Sequence, residues 1–258
     1  MASSPAVPDL TGAAVAFHIR HISRDGLGKH TSLYFARVWD LGLVDQGYSR
    51  ARTDRHVIIK AFPSNLAGQR AFEKESNANL KIGSCSLQAN AVQELLEMRS
   101  DGNWPRCFGQ MRVQRESLED TESHFEPDTG GKTGLRCLVF EHVAGLKPIS
   151  RDDLTDETIA AVVEVFEELH EAGIVFNNHI DHAVYPKVAL RNIYRRINGD
   201  PFVSDFQCAT EAKLDQRGDK MKSDEMVGLK DYLQRMRDGK DAVDTIPREV
   251  QILLESAA

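Results

Sequence analysis

The sequence predicts an α+β protein, with a mainly β N-terminal half and a mainly helical C-terminal half. Three observations carry this expectation. Val15–Ile19, Ser32–Trp39 and Val57–Phe62 are short runs rich in β-branched and aromatic residues, the composition of strands. Between Thr155 and Gly173, Ile159, Val162, Val163, Phe166 and Leu169 recur at spacings of three and four, one apolar stripe of a helix that packs into a core. The change of character falls at Ala144–Pro148, dividing the chain into an N-terminal segment plus β-rich lobe, 1–143, and a reduced helical lobe, 144–258, with a cleft between them.

In chain order, the three strands are followed by a segment that loses the period of two. From Gln69 to about Ile82, Ala71, Phe72, Glu75 and Leu80 fit a helix, and a second helix is expected near Ala91–Met98. Two more strands are expected at Arg106–Val113 and Leu135–Val143, joined by an acidic segment, ending in Thr129–Thr133, that reads as an exposed loop. Thr155 is a good N-cap with Asp156 and Glu157 in the first turn, and Gly173 is a natural stop. After an irregular stretch, Val175–Arg191, and a hairpin, Ser223 is read as the cap of a helix whose face is Met226, Leu229, Leu233 and Met236. A short helix closes the chain at Ile246–Leu254, with Pro247 in its first turn.

Composition narrows the function. The 258 residues are 41% hydrophobic, as in an ordinary globular protein, and the net charge of −7 argues against a broad nucleic-acid-binding surface. The four cysteines, Cys85, Cys107, Cys137 and Cys208, are scattered without zinc-ligand spacing and read as reduced core thiols. The N-terminus lacks a cationic leader pattern, and no apolar run approaches the ~20 residues of a membrane span. A cytoplasmic or nuclear protein without a membrane partner is expected.

Asn198-Gly199 is a strong hairpin signal, because a type I′ turn needs positive φ at both central residues. As a two-residue loop it sets Ile197 opposite Asp200 and, counting outward, Asn192 opposite Asp205. Two oxygen-bearing side chains at the open end of the ribbon suit one hard cation such as Mg²⁺. Taken alone, the segment is better read as a plain surface hairpin whose polar ends cap strands.

Other residues extend the pattern. Lys60 ends the apolar run Val57–Lys60; taken alone it is an edge-strand lysine with its head in solvent. Glu75, or else Glu73, lies on the next helix. Gly26 and Gly28 precede the second strand, and Leu138–Gly145 is a strand ending in a glycine turn. Arg191-Asn192-Ile193 and Ser204-Asp205-Phe206 flank the hairpin. This order resembles the protein kinase-like superfamily, as a compact atypical kinase or pseudokinase covering roughly residues 12 to 236. The resemblance implies a bilobal fold that binds ATP and Mg²⁺. In it Lys60 contacts the α and β phosphates and pairs with Glu75, while Gly26 and Gly28 belong to a degraded phosphate loop. The backbone near Glu141 and Val143 holds adenine with Phe140 behind it, and Asn192 and Asp205 ligate the metal.

The chain also departs from that pattern. Phe176-Asn177-Asn178 stands where the family has a catalytic aspartate, and extra residues intervene before Asn192; counting back from Asn192 reaches Lys187 and counting forward from Val175 reaches Asn178. Asp181 is the one candidate base, and His179 and His182 read as polar loop residues. Gln207 replaces the usual glycine after Asp205-Phe206, and the chain is too short after Asp205 for a peptide-docking segment. The expectation is a nucleotide-binding pseudokinase working through a protein partner or a conformational switch. Its alternatives are an active phosphotransferase with Asp181 as base, and a nucleotide-free interaction scaffold.

Overall fold

β-Branched and aromatic residues alternate along the N-terminal strands, and burial follows them with the period of two that strands impose. The computed structural model describes residues 6–11, 13–23, 31–41, 55–85, 95, 102–121, 124–127, 134–177 and 192–238. The chain is mixed α+β and divides into two compact units. One comprises Met1–Ser76, Gly83–Asp101 and Pro105–Val143; the other comprises Asn77–Ile82, Gly102–Trp104 and Ala144–Ala258.

In the first unit, β1 (Val15–Ser23), β2 (Ser32–Asp40), β3 (Arg55–Phe62), β4 (Cys107–Val113), β5 (His124–Phe125) and β6 (Leu135–Glu141) form one antiparallel sheet in the order β4-β6-β3-β2-β1-β5. Its core lies on one face, where Phe17, Ile19, Ala36, Val38, Val57, Ile59, Val139 and Cys137 pack with Leu10, Phe108 and Met111. β3 is central, between β2 and β6, so both of its edges are paired, and Val57 and Ile59 to Phe62 along it are buried. Helix α1 (Leu66–Lys81) follows β3. Its Phe72 meets Phe62 of β3 edge to face at 5.3 Å, seating this part of the helix on the face away from the core. The helix starts before the expected Gln69 because Asn65 Oδ1 accepts the N–H of Gly68 at 2.8 Å, a cap that periodicity does not register.

The acidic segment expected to be a loop contains a short helix, α2 (Arg115–Glu119), and the edge strand β5. Leu118 of α2 is fully buried, and Phe125 stacks on Phe17 at 5.6 Å, so two apolar residues anchor an otherwise polar stretch. Of the expected helix at Ala91–Met98, only Leu95 belongs to the described residues, where it is helical and buried.

The second unit is built around α3 (Asp156–Glu171) and α4 (Gln216–Arg237). Short strands β7 (Lys147–Pro148), β9 (Ile193–Arg195) and β10 (Pro201–Val203) make one sheet, and β8 (Ile174–Val175) with β11 (Thr210–Glu211) another. Thr155 caps α3 by accepting the N–H of Thr158 at 3.1 Å, and Gly173 takes φ +77 just after its end. The buried face of α3 is Val162, Val165, Phe166 and Leu169; Val165 joins the expected stripe, and Val163 sits at its margin, half-buried. In α4, Leu229, Leu233 and Met236 are buried as expected, with Met226 partly so. The start of α4 differs from expectation: Ser223 is inside the helix, because Asp215 Oδ1 already accepts the N–H of Gly218 at 2.8 Å eight positions earlier. The expected terminal helix at Ile246–Leu254 lies outside the described residues.

Candidate functional site

An isolated lysine in an apolar strand costs free energy to bury unless a carboxylate meets it. On β3, Lys60 is 3% exposed, and its Nζ lies 2.5 Å from Oε2 of Glu75, which is 2% exposed on α1. The central position of β3 overturns the reading of Lys60 as an edge residue reaching solvent. Helical spacing decides between the two glutamates. Glu75 lies three residues beyond Phe72, on the face packed against β3. Glu73 is exposed and accepts from Gln69 Nε2 at 3.0 Å.

The face of the sheet that carries Lys60 differs from the core face. Leu33, Lys60 and Leu138 are cross-strand neighbours, as are Phe35, Ile58 and Phe140. Leu138 and Phe140 are buried, whereas Leu33, Phe35 and Ile58 are half-buried, leaving an apolar surface that rises to an internal cation. Beyond Phe35 the surface continues into two histidines. Phe35 lies 4.8 Å from the ring of His142 and 5.1 Å from that of His56. Burial, with help from the neighbouring His56, depresses the pKa of His142 to about 4, so at neutral pH this corner carries an uncharged imidazole.

Glu141 does not present its carboxylate as a ligand group. The side chain is buried, its Oε2 accepts the backbone N–H of Arg106 at 3.3 Å, and its own N–H is given to the carbonyl of Arg106 at 2.9 Å. It ties the end of β6 to the start of β4, and Val143, half-buried, follows two residues later. Gly26 and Gly28 lie outside the described residues, as do Asp181, His179, His182, Lys187 and Asn178.

In the second unit the hairpin has a different register from the one expected. Ile193 pairs with Val203, Tyr194 with Phe202 and Arg195 with Pro201, so the loop is Ile197-Asn198-Gly199, closed by Arg196 N–H to Asp200 O at 2.9 Å. Only Gly199 has positive φ, at +97; Asn198 instead uses its side chain, with Nδ2 donating to Asp200 Oδ2 at 2.6 Å and Oδ1 accepting the Asp200 N–H at 3.2 Å. A type I′ turn would need both central residues at positive φ, and the glycine-last loop needs one. The correction moves the partner of Asn192 by one residue, to Ser204, whose N–H donates to the Asn192 carbonyl at 3.0 Å. Asn192 is 5% exposed.

Asp205 reaches its place by another route. It adopts φ 69 and ψ 72, a left-handed conformation uncommon outside glycine, and turns the chain into a short 3₁₀ helix, Phe206–Cys208. Phe206 holds this turn from the core side, fully buried and 5.3 Å from the ring of Phe176, which in turn packs on Phe166 at 5.7 Å. Gln207 Nε2 donates to Asp205 Oδ2 at 3.1 Å, orienting the carboxylate. Asn192 and Asp205 thus come from adjoining ends of one hairpin and offer hard oxygen donors.

No known family model matches the chain, and no curated protein sequence matches it.

One buried acid escaped the sequence reading. Glu225, 4% exposed on α4, accepts from His170 Nε2 at 2.7 Å, from the Phe176 N–H at 3.1 Å and from the Asn177 N–H at 2.7 Å. Asn177 has φ 56, so two consecutive N–H groups turn toward one carboxylate as the chain leaves β8. The signal was present: Glu225 sits four residues before Leu229, an acid on the apolar stripe of its helix. Among the described residues, no helix is long and apolar enough to cross a membrane, and no group of three or more His, Cys, Asp or Glu is placed to hold a metal.

Proposed function

We propose that this protein is a kinase-like nucleotide-binding protein that works through interaction or conformational switching rather than efficient phosphoryl transfer. The observation that carries the reading is the buried Lys60–Glu75 pair on a central strand and its neighbouring helix. A buried ion pair is poor value as a stabilising device, since well-packed apolar residues do as well, so a functional use for its lysine is favoured. In this reading Lys60 meets phosphate oxygens. The half-buried surface of Leu33, Phe35 and Ile58 takes the base, and Asn192 and Asp205 hold Mg²⁺. Phe176-Asn177 at the start of the altered catalytic segment supplies no carboxylate, which favours binding over turnover.

Calorimetric titration with ATP, with and without Mg²⁺, tests this. Saturable binding that weakens in Asp205→Asn, and that requires Mg²⁺, is the expected result. Binding of neither ATP nor ADP to the folded wild type would reject the nucleotide reading in favour of a scaffold. Turnover in the presence of candidate small-molecule acceptors would reject the switching reading while leaving the nucleotide site intact.

A further inference from the structure

Two thiols meet where the chain leaves α1 and enters β4. Cys85 and Cys107 are a parallel β-bridge pair, closed by the Cys107 N–H donating to the carbonyl of Ser84 at 3.1 Å, and both belong to the first unit. Bridge partners lie about 4.8 Å apart with their side chains on one side, inside the Cα window of about 4.4–6.8 Å that a disulfide accepts. The two thiols are hydrogen-bonded to each other, and the residues are 5% and 0% exposed. The other cysteines lie elsewhere. Cys107 is the cross-strand neighbour of Phe140, on the side of the sheet that carries Lys60, whereas Cys137 packs in the core on the opposite side and gives its thiol to the carbonyl of Leu135 at 3.7 Å. Cys208 is exposed in the second unit.

Burial pushes the Cys107 thiol well above its usual range, and the Cys85 thiol and then the Glu75 carboxylate add to the shift. Cys107 therefore stays protonated and is a poor first nucleophile. What it has is proximity, because a sulfur already in contact with a second sulfur has an effective concentration far above that of a thiol in solution. The carboxylate felt by Cys107 is also the one that meets Lys60 at 2.5 Å, so the thiol pair adjoins the buried ion pair.

We propose that Cys85 and Cys107 are a reversible disulfide site, oxidised by a low-molecular-weight disulfide of the glutathione type, and that the bond clamps the exit of α1 to β4. Cys85, the less buried of the two, attacks one sulfur of the oxidant as its thiolate; the S–S bond of the oxidant breaks and one glutathione thiolate leaves. Cys107 then gives up its proton and attacks Cys85 Sγ, releasing the second glutathione. Two protein thiols are oxidised, one small disulfide is reduced to two thiols, and both protein protons end on those thiols. Shielding of both sulfurs makes the first step wait for local opening, so the site follows the sustained redox poise rather than brief exposure to oxidant. The inference does not rest on the nucleotide reading.

Equilibration of the whole chain in glutathione buffers of rising oxidised fraction, with acid quenching, blocking of the remaining thiols and tryptic mass mapping, tests it. The oxidised protein is expected to yield tryptic peptides 82–99 and 107–112 joined through Cys85 and Cys107, and excess dithiothreitol should separate them. The bond should raise the thermal midpoint on the order of 5–10 °C, because it closes a loop in the unfolded chain. Cys85→Ala, which cannot form the bond, should show no such rise. The native chain should form it at an oxidised fraction at least about tenfold lower than the same chain in urea, which separates a preformed pair from chance pairing of unfolded thiols. Glutathione on exposed Cys208 serves as the control that the buffer is oxidising. Cys85 and Cys107 still reduced once Cys208 is modified, glutathione retained on Cys85 without a bond to Cys107, or joined peptides with an unchanged or lower midpoint would each overturn the site.

Discussion

Glu225 on α4 holds the backbone N–H of Asn177 at 2.7 Å, joining residues 48 positions apart through a side chain that is almost wholly buried. The same carboxylate takes the Phe176 N–H and His170 Nε2, so a single acid fixes the left-handed turn that leads out of β8. Glu225→Gln preserves the shape but replaces one acceptor oxygen with a donor facing an N–H. Leaving buried donors unmatched costs about 1–3 kcal/mol each, so this variant should lose about 2–3 kcal/mol in urea denaturation. A loss below 0.5 kcal/mol, on the scale of an ordinary surface change, would show that the three bonds are not a structural anchor.

The Lys60–Glu75 pair yields a non-additive prediction. Either Lys60→Met or Glu75→Leu removes one half of a buried pair, which typically costs about 3–5 kcal/mol. Together they remove both charges at once, and the double variant should recover part of the stability lost in either single variant while losing any nucleotide binding. Chemical denaturation of all four proteins gives the coupling energy. Additive losses would contradict the picture of a mutually compensating pair.

Gly199 supplies a cleaner backbone test. It has φ +97, and a methyl group added there meets nothing within 4 Å, so Gly199→Ala changes conformational strain and little else. A loss of about 1 kcal/mol is expected. Asn198→Gly, at a position that does not use positive φ, should not stabilise the loop, whereas a type I′ turn would gain from a second glycine. Equilibrium unfolding of the two variants therefore distinguishes the glycine-last loop from the turn that the dipeptide suggests.

His142 makes stability depend on pH. Its folded pKa, about 4, lies below the ordinary value of 6.5, chiefly through burial. As pH falls below about 6.5, the unfolded chain takes up a proton that the folded chain refuses, so stability present above that pH is lost progressively down to pH 4. Partial exposure limits the effect to about 1–3 kcal/mol. Urea midpoints measured between pH 7.5 and pH 4 in the wild type and His142→Phe should diverge from each other in this window. Parallel curves would mean that the imidazole is not desolvated.

Much of the secondary structure was legible because it is set by local chemistry. Thr155 marks the start of α3 and Gly173 its end, and the alternation of Val57 and Ile59 against Ile58 marks a strand, since capping and periodicity need only neighbours along the chain. The errors are local competitions decided by small energies. Asp215 preempts Ser223 as the cap of α4, and the side-chain bonds of Asn198 to Asp200 replace the positive φ of a type I′ turn, shifting the hairpin by one residue. That shift gives Asn192 Ser204, rather than Asp205, as its partner, so the placement of the two candidate metal ligands was not readable from the loop dipeptide.

The sequence by itself determined the mixed α+β class, the main strands and helices, and the residues around which a nucleotide reading turns. Tertiary structure decided which of their charges are buried and what each one meets. Lys60 becomes internal because β3 is a middle strand and α1 brings Glu75 to it; Glu225 becomes an anchor only because α4 brings it to Phe176 and Asn177; Arg112 and Arg136 become opposed only through the β4–β6 register. Burial and long-range pairing are properties of chain segments distant in sequence, and the free energy of a charge is set by those surroundings more than by its neighbours along the chain.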